Sequence, residues 1–174
     1  MFGTLRTAHK KDPALRGIPG YINAMFYPGV QAIWMHKLTH RLYLMGVPVL
    51  PIFLSHLARA FTGVEIHPGA KIGKGFFIDH GTGVVIGETA EIGEGVMLYH
   101  GVTLGGRGFW QDEKGSKRHP TLEDGVVVGV GSTILGPVRI GKGSLIGAGA
   151  IVLRDVGENS SIKAGTIWNG TENK

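Results

Sequence analysis

Acidic and imidazole side chains meet at one point of a sequence that is otherwise apolar and rich in glycine. Asp79 and His80 are adjacent in FFIDHGTGVVIGE, and Glu65 and His67 lie shortly before them in VEIHPGA. A carboxylate that holds a histidine fixes its tautomer and stabilises the imidazolium, which makes that histidine a poised general base. The same Asp-His pair also suits a plain turn, because Asp favours turn geometry.

The chemistry open to such a base is limited by what the sequence lacks. The chain contains no cysteine, and it has no Gly-x-Ser-x-Gly segment, so no covalent nucleophile stands out. Direct attack by an activated hydroxyl on a bound acyl donor is the simplest alternative. The segment KRHP adds Arg118 and His119 to the candidate residues.

A six-residue period must position these side chains. Aliphatic residues recur at this spacing in two runs, with a slip of two residues after Ile78: Ile66, Ile72, Ile78 and Val84, continued by Ile86, Ile92, Leu98 and Leu104, and then Leu122, Val128, Ile134, Ile140, Ile146 and Val152. Each hexad reads as a short strand and a tight corner, and three hexads make one triangular turn of a parallel β-helix. The slip falls directly after His80, and an irregularity in a repeat often marks function.

The rest of the chain divides around this repeat. Residues 1–63 carry helical periodicity and form a predicted N-terminal α-helical region, with one helix beginning near Pro28 and stopping at Gly46 and another ending at Gly63. Residues 64–174 form the predicted β-helix domain with a C-terminal tail. The polar, off-pattern segment 106–119 is predicted to leave the prism as an extruded loop, where binding groups tend to lie.

Composition excludes several classes of protein. The net charge is +5, but the basic residues are scattered, so we expect no nucleic-acid partner. The apolar stretch 42–58 contains Gly46, Pro48 and Pro51 and is too short for a span, which predicts two short buried helices and no membrane segment. The N-terminus lacks an apolar signal core, which predicts a cytoplasmic protein. His36 and His40 lie one turn apart without a third ligand nearby, which favours a polar helix face over a metal site.

The linked segments IDHGTG, VIGET, TLGG and KRHP resemble serine O-acetyltransferase, a family of the hexapeptide-repeat acyltransferases, from about Asp12 to Val156. The resemblance implies a mainly β fold, a left-handed parallel β-helix with a short helical region. It implies acetyl transfer from acetyl-CoA to the hydroxyl of L-serine, giving O-acetylserine for cysteine synthesis, with no metal. It is also consistent with a homotrimer, which the flat faces of a prism favour.

The resemblance also assigns roles to individual residues. His80 is the implied catalytic base, Glu65 takes the place of its orienting acid, and His119 is expected close to the reacting hydroxyl or the carbonyl oxygen. The charged residues implied to contact or brace the amino acid, with the guanidinium on its carboxylate, are Asp12, Asp79, Arg118 and Glu88. Two glycines would let the thioester approach the backbone, Gly105 and Gly106. Asp12 has a second interpretation, as the cap of a helix that begins at Pro13.

Some features depart from the family and leave alternatives open. The chain ends in Lys174 where the family often ends in Ile, so a complex with cysteine synthase is doubtful, and the short helical part favours a trimer over a hexamer. Another acceptor, such as homoserine or a sugar, is one alternative, although acids together with Arg118 favour a zwitterion. A zinc hydratase like the γ-carbonic anhydrases is another, because four histidines are available: His67, His80, His100 and His119.

Overall fold

The computed structural model describes residues 2–108 and 115–170. Four helices come first, namely α1 Phe2–Lys11, α2 Gly17–Ala24, α3 Pro28–Leu44 and α4 Leu50–Thr62. The helices predicted from Pro28 and up to Gly63 are confirmed. Pro28 occupies the first helical turn, where its missing N–H costs nothing, and Gly63 ends α4 in the left-handed conformation with φ of 70°.

Fifteen short strands follow and form a parallel β-helix of about five turns, which confirms the predicted fold class. The strands fall into three sheets, here called A, B and C, whose members are hydrogen-bonded in parallel. Sheet A contains β1 Glu65–Ile66, β4 Val85–Ile86, β7 Thr103–Gly105, β10 Thr133–Leu135, β13 Ile151–Val152 and β15 Ile167–Trp168. Sheet B contains β2 Lys71–Ile72, β5 Glu91–Ile92, β8 Thr121–Leu122 and β11 Arg139–Ile140. Sheet C contains β3 Phe77–Ile78, β6 Met97–Leu98, β9 Val127–Val128, β12 Leu145–Ile146 and β14 Ser161–Ile162.

The predicted six-residue ladder is the core of the prism. Ile66 pairs with Ile86, which pairs with Leu104, which pairs with Ile134, so each inward aliphatic side chain lies on the one a coil below. These residues are almost fully buried. The in-register stack leaves no room for extra residues within a strand, so extra residues collect at the corners.

The coils differ in length at two places that matter for the site. Ile78 and Ile86 are eight residues apart where six is the rule, so the first coil has two extra residues in the corner between sheets C and A. Between β7 and β8 the chain inserts a long loop, which includes the segment predicted at 106–119. Its central residues 109–114, and with them the tryptophan of that loop, lie outside the described residues.

The solenoid continues beyond the run that the sequence pattern predicted. After Val152 the inward positions are Val156, Ile162 and Trp168, because the next coil is shortened by two residues and then resumes the period. The Trp168 indole Nε1 donates to the carbonyl of Asp155 at 3.0 Å, and its ring packs on the core. Trp168 therefore covers the last complete coil.

Two histidines fasten helix α3 to the first coil. His36 is buried and donates from Nε2 to the Ala70 carbonyl at 3.1 Å, and His40 donates from Nδ1 to the Pro68 carbonyl at 2.7 Å. Their rings stack with centroids 5.3 Å apart. The sequence predicts a polar helix face for this pair, and both rings do make polar contacts, but that face is packed on the β-helix and His36 is buried.

The apolar stretch 42–58 forms the end of α3, a turn and most of α4. Its apolar side chains are less buried than predicted, because Leu44, Met45, Leu50, Phe53 and Leu57 are exposed in the single chain. Among the helices of residues 2–108 and 115–170, none has the length and apolar character needed to cross a membrane.

The buried His36 predicts a pH-dependent stability. Burial, and secondly the charge of His40, lowers the pKa of His36 to about 4. The unfolded chain, with a histidine pKa of about 6.5, takes up this proton first, so stability falls as pH drops from about 6.5 towards 4. We expect a loss of about 2 kcal/mol from pH 7.5 to 5 through this residue.

The measurement is urea unfolding of the wild type and of His36→Gln at both pH values. Glutamine keeps an N–H donor for Ala70 but does not titrate. The variant should lose about 2 kcal/mol less than the wild type on acidification. Equal losses in the two proteins would contradict this role for His36.

Candidate active site

His80 is held in a strained conformation on the corner that contains the two extra residues. This corner, residues 79–84, is here called the His80 corner. His80 has φ of 60°, a left-handed conformation that is rare outside glycine, and its side chain is 75% exposed. Gly83 of the same corner also has positive φ and lies against Gly101 of the next coil, which lies against Gly131, so the glycine position is kept while the extra residues carry His80. The insertion therefore lifts an imidazole off the prism, at a cost that functional sites often carry.

Two carboxylates accompany His80. Asp79 Oδ2 lies 3.9 Å from His80 Nε2. Asp12, from the turn after α1, accepts a hydrogen bond from the Tyr27 hydroxyl at 2.7 Å and from the Ala14 amide at 2.8 Å. The hydrogen bond to Asp12, then burial and the charges of Asp12 and Asp79, raise the pKa of Tyr27 to about 12.

Asp12, Tyr27 and Asp79 thus form one acidic cluster beside the imidazole, suited to hold a cation such as an ammonium group. The alternative role of Asp12 as the cap of a helix at Pro13 is wrong, because helix α2 begins only at Gly17. Tyr27 was not singled out from the sequence, since it lies at the α2–α3 junction with no motif around it.

His100 lies one coil above His80. The two rings meet edge to face with centroids 5.8 Å apart, and His100 Nδ1 is buried without a hydrogen-bond partner among the described residues. His100 is therefore a neighbour that packs against the candidate base.

Glu65 lies on the outer side of β1, with Val85 beside it in the ladder. Its carboxylate forms an ion pair with Arg59 of α4, with Nη1 and Oε2 2.8 Å apart. Within residues 2–108 and 115–170 of the single chain, Glu65 makes no ion pair with His80. The structure thus gives Glu65 a partner that the sequence did not suggest.

Arg118 and Glu88 form the centre of a second group, at the corner between sheets A and B. This corner, residues 87–90 with 115–120, is here called the His119 corner. Arg118 Nη2 pairs with Glu88 Oε2, and the Tyr43 hydroxyl donates to Glu88 Oε1 at 3.1 Å. Burial, followed by the hydrogen bond to Glu88, raises the pKa of Tyr43. Glu88 therefore positions the guanidinium.

His119 is 8% exposed and is seated between two residues of the coil below. Its Nδ1 lies 3.1 Å from the Thr89 amide nitrogen and 2.9 Å from Thr89 Oγ1. On its other edge, a Cβ added at Gly87 would come within 2.2 Å of His119 Nε2. A glycine is needed at position 87 because the imidazole occupies the space of a side chain.

Gly105 and Gly106 lie where β7 runs into the loop, at the same corner. The Gly105 carbonyl accepts from the Gly136 amide of the next coil at 2.9 Å. The side chain of Arg107 packs against Gly136, and its guanidinium donates a hydrogen bond to the carbonyl of Leu153. The start of the loop is therefore tied to the coil above, as its end is tied to the coil below.

The two corners lie apart on one chain. A strand rises about 3.3 Å per residue, so the four residues from Val84 to Glu88 separate the corners by about 13 Å. The acidic cluster with His80 and the guanidinium with His119 are thus two half-sites at opposite ends of the sheet A strands.

The histidines considered for a metal are divided between these corners. His80 and His100 lie at one, and His67 and His119 at the other. Among the residues that the structure describes, no cluster of three or more His, Cys, Asp or Glu side chains could hold a metal ion.

Comparisons with known proteins agree with the fold and with the motifs. The family model described as bacterial transferase hexapeptide (six repeats) matches residues 119–154. A serine acetyltransferase of Synechococcus elongatus is 51% identical over 166 residues, 93% of this chain and 66% of that protein. One from Helicobacter pylori is 48% identical over 167 residues, 94% of each. The crystal structure of Neisseria gonorrhoeae serine acetyltransferase in complex with serine has a TM-score of 0.83 at 39% identity, covering 92% of this chain and 63% of that one.

The chain spans about two thirds of the Synechococcus relative and nearly all of the Helicobacter one. A soybean serine acetyltransferase complexed with serine is 41% identical with a TM-score of 0.84, and the match covers 64% of its chain. Identities near 50% over more than nine tenths of this chain, with 94% of the Helicobacter protein covered, lead to one conclusion. This chain belongs to the serine acetyltransferase family.

Proposed function

We propose that this chain transfers an acetyl group from acetyl-CoA to the hydroxyl of L-serine, giving O-acetylserine and CoA. The observation that carries the proposal is the charge arrangement of the two half-sites. One offers two carboxylates beside an exposed imidazole, and the other offers a braced guanidinium beside a second imidazole. An amino-acid zwitterion has the opposite charges at its two ends.

In this proposal Asp12 and Asp79 bind the ammonium group, and Arg118 binds the carboxylate with Glu88 holding its fork. The serine hydroxyl then lies against His80. His80 removes the hydroxyl proton as the oxygen attacks the thioester carbon, and the proton passes to the departing thiolate of CoA. The new ester bond replaces the thioester bond, so no oxidant, metal or further reactant is needed.

Glu65 is proposed as the acid that orients His80, in exchange for its present pairing with Arg59. The side chain is a long carboxylate on the first coil, and its partner Arg59 is exposed, so that ion pair is weak. A change of partner on assembly would therefore cost little.

Acetyl-CoA, the donor substrate, is proposed to approach the His119 corner. Gly105 and Gly106 expose backbone there, and a thioester can come close to backbone that carries no side chains. An amide of this segment and His119 would meet the carbonyl oxygen, where negative charge develops.

A second copy of this chain is proposed to complete each site, most simply in a homotrimer. The two half-sites lie about 13 Å apart on one chain, too far for one serine to touch both, whereas corners of neighbouring prisms can meet. Exposed apolar residues along α4 also favour association, because monomers rarely leave such stripes in water: Leu50, Phe53, Leu57 and Phe61.

A cytoplasmic location remains a prediction of the sequence.

The other acceptors remain as outcomes of the test. Homoserine carries the same two charged ends with one more methylene, and a sugar carries neither charge. A zinc hydratase would need three histidines to converge where the two corners meet between subunits, and the metal content of the assembled protein tests that alternative.

The proposal predicts thiol release from acetyl-CoA with L-serine and not with a galactoside. Homoserine should react at least about tenfold more slowly, since one methylene misplaces the hydroxyl. A thiol reagent measures this directly, because the protein has no cysteine to react. The proposal would be contradicted if no acceptor gave thiol release, or if the galactoside gave release and L-serine did not.

Substitution of His80 should affect turnover and stability differently, because the residue is the proposed base and also has a strained backbone. We expect His80→Gly to lower kcat by about a hundredfold or more, as loss of a general base does. Its free energy of unfolding should stay within about 1 kcal/mol of the wild type, because relief of the left-handed strain offsets the added chain entropy.

His80→Ala is the matched control, since it removes the imidazole but keeps a Cβ in the strained conformation. It should lose the same activity and be less stable than His80→Gly. Urea unfolding and the thiol assay report the two quantities separately. Near-normal turnover in either variant would remove His80 from the mechanism.

A further inference from the structure

Thr89 forms hydrogen bonds to the Arg118–His119 segment through both its hydroxyl and its backbone N–H. Its Oγ1 lies 3.0 Å from the Arg118 amide nitrogen and 3.0 Å from the His119 amide nitrogen. Both are backbone N–H donors, so the hydroxyl oxygen accepts from each. A hydroxyl has two acceptor lone pairs and one donor hydrogen, so only the hydrogen is left to give.

Among residues 2–108 and 115–170, the remaining hydroxyl hydrogen has one partner, His119 Nδ1, at 2.9 Å. The Thr89 backbone N–H points to the same nitrogen at 3.1 Å and can only donate. Two donors thus converge on Nδ1. A hydrogen on Nδ1 would face both of them, so Nδ1 is the unprotonated nitrogen of the ring.

We infer that Thr89 is a positioning residue that fixes His119 as the neutral tautomer with its proton on Nε2. A ring in this state gives a hydrogen bond from Nε2 and cannot take a proton there. His119 therefore serves as a donor to an oxygen that gains negative charge, and it is excluded as the general base.

This inference rests on the proposed function for the identity of the oxygen, but not for the tautomer. It also separates the two imidazoles of the proposed site. His80 is exposed, and no such pair of donors meets its ring among the described residues, whereas His119 is buried and its Nδ1 faces two donors from Thr89. The sequence segment VIGET contains the residue that makes the difference.

Nitrogen-15 NMR of the whole protein at pH 7.5 tests the tautomer without any substrate. The His119 signals are assigned by their loss in His119→Gln. We expect Nδ1 at the shift of an unprotonated nitrogen that accepts hydrogen bonds, and Nε2 at the shift of a protonated one. A protonated Nδ1, or averaged shifts for the two nitrogens, would overturn the inference.

Two substitutions separate the hydroxyl from the bulk of Thr89. Thr89→Ser keeps the hydroxyl, and we expect the wild-type tautomer and kcat within about threefold. Thr89→Val keeps the shape without the hydroxyl, and we expect averaged or shifted His119 signals and a kcat lower by about tenfold or more with KM for serine changed less. Unchanged NMR signals in Thr89→Val would overturn the role of the hydroxyl.

His119→Gln against His119→Glu tests donor against base. A glutamine amide can donate near the position of Nε2 but cannot take a proton, whereas a carboxylate can take a proton but not donate. We expect glutamine to retain at least about tenfold more activity than glutamate. The reverse order would overturn the donor role. If the protein proves inactive on serine altogether, the proposed function fails, while the NMR result still decides the tautomer.

Discussion

The in-register stack of inward aliphatic side chains fixes the length of the strands and the places where the chain can vary. Each coil must place its residue directly on the one below, as Ile66, Ile86, Leu104 and Ile134 do. An extra residue within a strand would turn the following inward side chains to the outer face of the sheet. Insertions and deletions in the six-residue period therefore occur at the corners. The two departures in the middle of the chain create the two half-sites. The insertion of two residues lifts His80 outward, and the long loop returns to the prism through Arg118 and His119.

The half-sites differ in charge and in rigidity. The His80 corner is open and carries the Asp79 carboxylate, and Asp12 beside it accepts hydrogen bonds from the Tyr27 hydroxyl and the Ala14 amide. The His119 corner is packed against the coil below, with Arg118 braced by Glu88 and His119 by Thr89. This difference matches a division of labour in which an exposed base moves a proton while fixed donors meet charge that develops on oxygen. Pre-organised donors need no rearrangement during the reaction.

Much of the fold was predictable because its core repeats a simple pattern. The hexads, the glycine corners and the helix ends at Pro28 and Gly63 each follow from local chemistry. The last coil was missed, because a shortened corner breaks the period before Val156 and Trp168. The candidate residues at 79–80 and 118–119 were found through motifs, but their partners were not. Tyr27 comes from the α2–α3 junction and Arg59 from α4, and tertiary contacts that no local pattern encodes bring both to the prism. The pairing of Glu65 with Arg59 depends on that packing.

We propose that the two half-sites act together across a subunit boundary. Coexpression of His80→Ala and Arg118→Gln chains with different tags, followed by purification through both tags, isolates mixed oligomers. In a cyclic trimer, one boundary of the three then joins an intact His80 to an intact Arg118, so we predict about one third of wild-type activity. The matched control pairs His80→Ala with the double variant, which restores no boundary and should stay inactive. Mixed oligomers that are no more active than the separate variants would contradict the shared site.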